Sequence, residues 1–85
     1  MLKTGQVVLS LRGRDKDSFF VVTKVEGGFC WVADGGERPL SRPKRKNPKH
    51  LRLTGWTVEL CDAATDRQLR RKLRELGGAA DKEPD

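Results

Sequence analysis

Seven cations and no carboxylate lie between Arg38 and Arg52: Arg38, Arg42, Lys44, Arg45, Lys46, Lys49 and Arg52. That stretch alone exceeds the net charge of +6 carried by all 85 residues. Like charges held this close repel one another, and a polyanion that neutralises them also releases its own condensed counterions, so the chemistry indicated is phosphate binding. A second basic group, Arg12, Arg14 and Lys16, falls in a Gly-containing charged break between two apolar runs, as a solvated loop would. The candidate contacts are therefore Arg42, Lys44, Arg45, Lys46, Lys49 and Arg52, assisted by Arg12, Arg14 and Lys16. Exposed charges add little to stability, so replacing Lys44, Arg45 and Lys46 together is expected to weaken binding without unfolding the chain.

Other chemistries lack their residues. Cys30, Cys61 and His50 are the sole thiol and imidazole groups, and none stands at a metal-ligand spacing, so neither a metal nor a cofactor is expected. There is no phosphate-cradling Gly-rich motif and no nucleophile and base at recognisable spacing, which argues against an enzyme. His50 ends the basic segment. Both cysteines sit in apolar stretches and read as reduced core residues. Base stacking has few carriers, since aromatics are 6% of the chain. Phe29 and Trp31 share one strand face, opposite Cys30 and Val32. Trp31 is assigned to packing, because a small barrel needs large side chains to fill it; exposed beside the basic loops it would instead be the best stacking candidate.

With 35% apolar residues, the chain supports one small domain. No apolar run approaches the ~18 residues of a membrane helix, and the N-terminus lacks the pattern of a signal peptide, so the expected location is the cytoplasm, without membrane contact. Between Gly5 and Leu53 short β-type runs alternate with Gly, Asp and Pro. Residues 6–11 place Val7, Leu9 and Leu11 on one face, expected to be the core face. Residues 18–25 and 29–33 form a hairpin about Gly27-Gly28. A short run at 37–40 follows, its proline favouring an edge. Residues 41–50, with five cations and two prolines, are expected to lie outside the core, and 50–53 close the barrel with Leu51 and Leu53 inward. Five short strands in about fifty residues fit a small closed or nearly closed antiparallel barrel.

The period then changes. Residues 55–64 read as a linker or one more strand. From Thr65 to Leu76, Leu69, Leu73 and Leu76 recur on one helical face, with Thr65 and Gln68 spaced as a capping box and Gly77-Gly78 as the stop. The cations from Arg67 to Arg74 are expected to be solvated on the other face, with an auxiliary nucleic-acid contact as the alternative. Residues 77–85 are expected to be disordered. The division is thus a barrel at 1–54, a connection at 55–64, a helix at 65–76 and a tail at 77–85.

The order of Gly5-Gln6-Val7-Val8, Gly13-Arg14-Asp15-Lys16, the strand 19–22, Val32-Ala33-Asp34-Gly35 and the segment from Pro43 to Leu51 resembles the bacterial KOW-domain RNA-binding proteins. These look like small relatives of the KOW-containing large-subunit ribosomal proteins of eukaryotes and archaea. The resemblance covers roughly residues 4–54. It implies a mainly β fold, an SH3-like five-stranded antiparallel barrel of the KOW type followed here by one C-terminal α-helix, with RNA, most often ribosomal, as the ligand. One position departs from the motif: Asp17 stands where the family generally has glycine, and brings a carboxylate into the first basic loop. The resulting expectation is a non-enzymatic module that docks on ribosomal or other structured RNA. The alternative is a protein adaptor of the ribosome or transcription machinery whose partner binds the barrel or the leucine stripe; an exposed stripe would favour it, and a buried one leaves the basic face as the conspicuous surface. DNA binding by charge alone would show no preference for folded RNA.

Overall fold

The computed structural model describes residues 2–14, 16–59 and 65–81. Its elements are β1 (Gln6–Ser10), β2 (Phe19–Glu26), β3 (Phe29–Ala33), β4 (Lys44–Lys46), a 3-10 turn at Pro48–His50, β5 (Leu51–Thr57) and α1 (Asp66–Asp81). The strands form one antiparallel sheet in the order β4-β3-β2-β1-β5. This is the small SH3-like arrangement with one C-terminal helix, but the sheet is not closed, for β4 and β5 are its two edges. No helix among the described residues is long and apolar enough to cross a membrane.

The β2–β3 hairpin turns at Gly27-Gly28, with Glu26 opposite Phe29. The fourth strand is not at 37–40 but inside the basic segment, where Lys44, Arg45 and Lys46 pair with Val32, Trp31 and Cys30. Lysine-rich edge strands are tolerated because charge deters a further strand from adding to the open edge, whereas composition alone reads such a run as loop. Residues 37–40 are instead a connection whose Leu40 amide donates to Asp66 Oδ1 at 2.6 Å. The strand expected at 50–53 begins at Leu51 and continues through Trp56-Thr57, bulging against β1 between Gln6 and Val8.

Alternation misplaces the core face of β1, because both faces of the sheet are covered. Val8, Phe20, Val22, Cys30 and Val32 fill the inside of the curl. Val7, Val21 and Ala33 point outward under Val58, Leu69 and Leu73. A strand buried on both sides reads as a continuous apolar run, which is what Val7-Val8 and Val21-Val22 are. Leu11 lies past the end of β1 and is 40% exposed, and Leu53, on an edge strand, is 48% exposed. Neither faces the core as expected.

Helix α1 starts with a reciprocal capping box: the Thr65 amide donates to Gln68 Oε1 and the Gln68 amide to Thr65 Oγ1, each at 3.2 Å. Its leucine stripe is buried on the outer face, with Leu69 fully covered and Leu73 nearly so, each such side chain contributing about 1.5–3 kcal/mol. The helix runs through Gly77-Gly78 to Asp81 instead of stopping at the glycines. At the other end of the sheet, Gly5, at φ +90, donates its amide to the Val22 carbonyl (2.8 Å) and accepts from the Val58 amide (2.7 Å).

Cys30 is a free thiol inside the curl, its Sγ 3.6 Å from the Lys46 carbonyl oxygen. Cys61 lies outside the described residues. Burial pushes the Cys30 thiol above its ordinary value of 9.0, an effect that nearby Lys46 partly offsets. Above about pH 9 the unfolded chain therefore loses this proton first, so stability should fall as pH rises further. In a Cys61→Ser background, a disulfide reagent at pH 8 should label native Cys30 about a hundredfold or more slower than the denatured chain. Labelling at the denatured rate would show an accessible thiol.

Candidate nucleic-acid interface

The structure gathers some of the expected cations and separates others. Arg14, exposed on the β1–β2 connection, lines a cleft of about 420 Å³ together with Lys44 from β4 and Arg38 from the β3–β4 connection. Phe20 and Ser18 line it as well, along with Asp34 and Glu37. Arg38 also lines a neighbouring cleft of about 570 Å³ with Arg42, Pro39 and Pro43. The two clefts share Arg38 and Glu37, so Arg14, Lys44, Arg38 and Arg42 border one continuous surface.

That surface is held by backbone-directed bonds. Asp34 Oδ1 accepts from the amides of Gly36 (2.8 Å) and Arg38 (3.0 Å), and the Asp34 amide donates to the Arg38 carbonyl (2.9 Å). Of the two carboxylates lining the first cleft, Asp34 is thus turned to its own loop, where it fixes the turn that presents Arg38. Asp17 adopts φ 71, the left-handed conformation for which the motif ordinarily uses glycine. Aspartate is among the few side chains that visit this region, and its amide gains a 2.8 Å bond to the Ser10 carbonyl.

Arg12 and Lys16 are exposed on the same connection as Arg14. Lys49 is exposed on the 3-10 turn, where Asn47 Oδ1 caps its amide at 2.9 Å, and Arg52 is exposed on β5 opposite Leu9. Arg45 points to the outer face of β4, with its guanidinium carbon 5.0 Å from the Phe29 ring centroid. Lys46 is the correction. It is 8% exposed, and its ammonium donates to Ser10 Oγ and to the Arg12 carbonyl, both at 3.2 Å. The basic segment was expected to stay out of the core, but strand alternation turns Lys46 inward and Arg45 outward. Lys46 ties β4 to the end of β1 and the first basic loop.

Trp31 also departs from its assignment. It belongs to neither buried cluster and stands half-buried on the outer face of β3, beside Lys24 and Arg45.

The structure adds Arg38, which lies within the basic run, to the cations of the site, and it gives a place to the helix cations whose alternative role is an auxiliary nucleic-acid contact. Arg67, Arg70, Arg71 and Arg74 recur at i, i+3, i+4 and i+7 and together line a further groove on α1. The period that puts the leucines on the sheet puts these four on the opposite side, along about 10 Å of helix axis. Among the described residues none of the four meets a carboxylate at ion-pair distance. Arg70 and Arg74 also reach a cleft bordered by Ser18 and by two carboxylates, Asp17 and Asp34; Ser18 and Asp34 border the Arg14–Lys44 cleft too.

A half-open five-stranded sheet, capped by one helix and carrying a track of arginines and lysines across both, defines an SH3-like module with a basic surface. No family model matches the chain. It is 31% identical over 80 residues, covering 91% of this chain and 81% of the relative, to the large ribosomal subunit protein eL14 of Metallosphaera sedula. The chain belongs to the eL14 family of ribosomal proteins. The relative is archaeal, so the comparison supports the KOW-containing ribosomal relationship, not a specifically bacterial one.

Proposed function

We propose that this chain is a non-enzymatic module of the large ribosomal subunit that holds structured ribosomal RNA by its phosphates. The observation that carries this reading is the continuity of the basic path: the α1 arginines lead past Ser18 to Arg14, Lys44 and Arg38, and on to Arg42. Arg12, Lys16, Lys49 and Arg52 flank it as longer-range attraction. Phosphate contacts position a protein without reading sequence, so selectivity would come from the shape of the RNA. The relationship to a large-subunit protein supports this choice of partner and, with it, a cytoplasmic location. Burial of Leu69 and Leu73 on the sheet removes the helix-borne surface of the adaptor alternative and leaves the barrel as the surface an adaptor would use.

Co-sedimentation with ribosomal subunits, and binding to ribosomal RNA and duplex DNA, across a salt series tests the proposal. Log affinity for RNA should fall with log salt at a slope implying roughly 4–8 phosphate contacts, and should exceed that for duplex DNA. The variant Arg14→Ala/Arg42→Ala/Lys44→Ala should bind more weakly, with a slope shallower by about 2–3. Unchanged affinity and slope in that variant would remove the cleft from the interface.

A further inference from the structure

Among the described residues nothing covers the outer face of β2–β3–β4 beyond the helix, and this face carries the side chains least expected on a solvated sheet. Along β3, Phe29, Trp31 and Ala33 share this face. Ala33 is buried under Leu69 and Leu73, Trp31 is half-buried, and Phe29 is 38% exposed. Large aromatics are ordinarily spent on filling a core, and this chain has only five to spend. Two of them, about 7 Å apart by strand geometry, lie side by side outside both buried clusters.

Cations from both neighbouring strands frame the rings. Arg45 stands opposite Trp31 on β4 and lies over Phe29, and Lys24 stands opposite Trp31 on β2, its Nζ 5.2 Å from the indole centroid. Lys24 also pairs with Glu26 at 3.0 Å, so Arg45 is the stronger attractor for an anion. Its neighbour Lys44 belongs to the basic path. Alternation turns Lys44 to the opposite face of β4 from Arg45, so the aromatic face and the surface assigned to phosphates lie on the two sides of the same edge strand.

We infer that Phe29 and Trp31 form a stacking platform for unpaired bases of single-stranded RNA, with Arg45 and Lys24 receiving the flanking phosphates. The inference rests on the RNA-binding reading above and adds a second chemistry to it. The phosphate track grips folded RNA, and the platform takes up bases that have left a helix. Paired aromatics on an open sheet face, flanked by positive charge, suit this task because every base offers a π-face while its backbone needs neutralising. The cations now resting on the rings keep the apolar surface partly covered in the free protein, and they shift to phosphate as a base takes their place.

The full chain with Trp56→Phe leaves Trp31 as its one indole and reports directly by fluorescence. Titration with a twelve-nucleotide single-stranded RNA should quench Trp31 emission, and an RNA duplex of equal length should not. Trp31→Leu should lower single-strand affinity about 5- to 150-fold while changing duplex affinity less than twofold, and Trp31→Phe should restore most of it. Absence of quenching by the single strand, or equal loss for both RNAs in Trp31→Leu, overturns the platform. If single strands fail while duplex and ribosomal RNA still bind through Arg14, Arg42 and Lys44, the platform falls alone. If no RNA binds the parent chain, the RNA-binding reading falls with it.

Discussion

Gly35→Ala should lower stability by about 3–5 kcal/mol and release α1 from the sheet. Gly35 has φ +80 and is buried where the β3–β4 connection meets the first turn of the helix. A Cβ there would collide with the carbonyl oxygen of Asp66 and come within 2.9 Å of the Arg70 amide nitrogen, and both are backbone atoms. Neither can yield without moving the helix, and the helix carries Leu69 and Leu73 into the outer core. The left-handed backbone adds its own penalty for any side chain. Thermal unfolding should show a midpoint roughly 12–40 °C lower, at ~4–8 °C per kcal/mol for a domain of this size. Amides of α1 should lose hydrogen-exchange protection before those of the β2–β3 hairpin. A midpoint within a few degrees of the parent would mean that helix and sheet are not packed as described.

Lys46→Ala should cost about 2–3 kcal/mol, a large effect for removing a lysine. Its ammonium serves Ser10 Oγ and the Arg12 carbonyl, and Ser10 is fully buried. Truncation would leave a space near Cys30 and deprive these acceptors of a charged donor. Arg45→Ala, one residue away and exposed, should change stability by less than about 1 kcal/mol. Urea unfolding of the two variants side by side checks the contrast. Equal midpoints would show that the Lys46 ammonium is solvated in the native protein. The two residues are indistinguishable by composition, and they differ because a strand turns them to opposite faces.

That contrast marks what could be read from residues alone. The hairpin about Gly27-Gly28, the capping box of Thr65 and Gln68 and the leucine stripe are local signals, and each lies where its spacing places it. The number of strands was legible, but the position of the fourth was not. Lys44–Lys46 has weak strand propensity and takes its conformation from pairing with β3, a partner more than ten residues away. The same non-local event decided Lys46, Arg45 and Trp31. Burial of Val7 together with Val8 was hidden for a related reason: the period-two rule assumes one wet face, and the helix that dries the second face is some sixty residues further along the chain. The arginine stripe of α1 was legible as a period. Its place in a continuous path depends on the helix docking beside Ser18 and Asp34.

A strand with valines on both faces has little means of telling those faces apart. Sliding β1 by one position toward its N-terminus would put Val8 and Leu9 opposite Val21 and Phe20 in place of Val7 and Val8, an exchange of one apolar pair for another. Gly5 forbids the slide. A shift in either direction would bring Thr4 or Gln6 to a site at φ +90 whose Cβ would stand 2.9 Å from the Val58 carbonyl oxygen. The alignment of β1 between β2 and β5, and with it the spacing between the two basic loops, is therefore encoded by the one residue there that has no side chain.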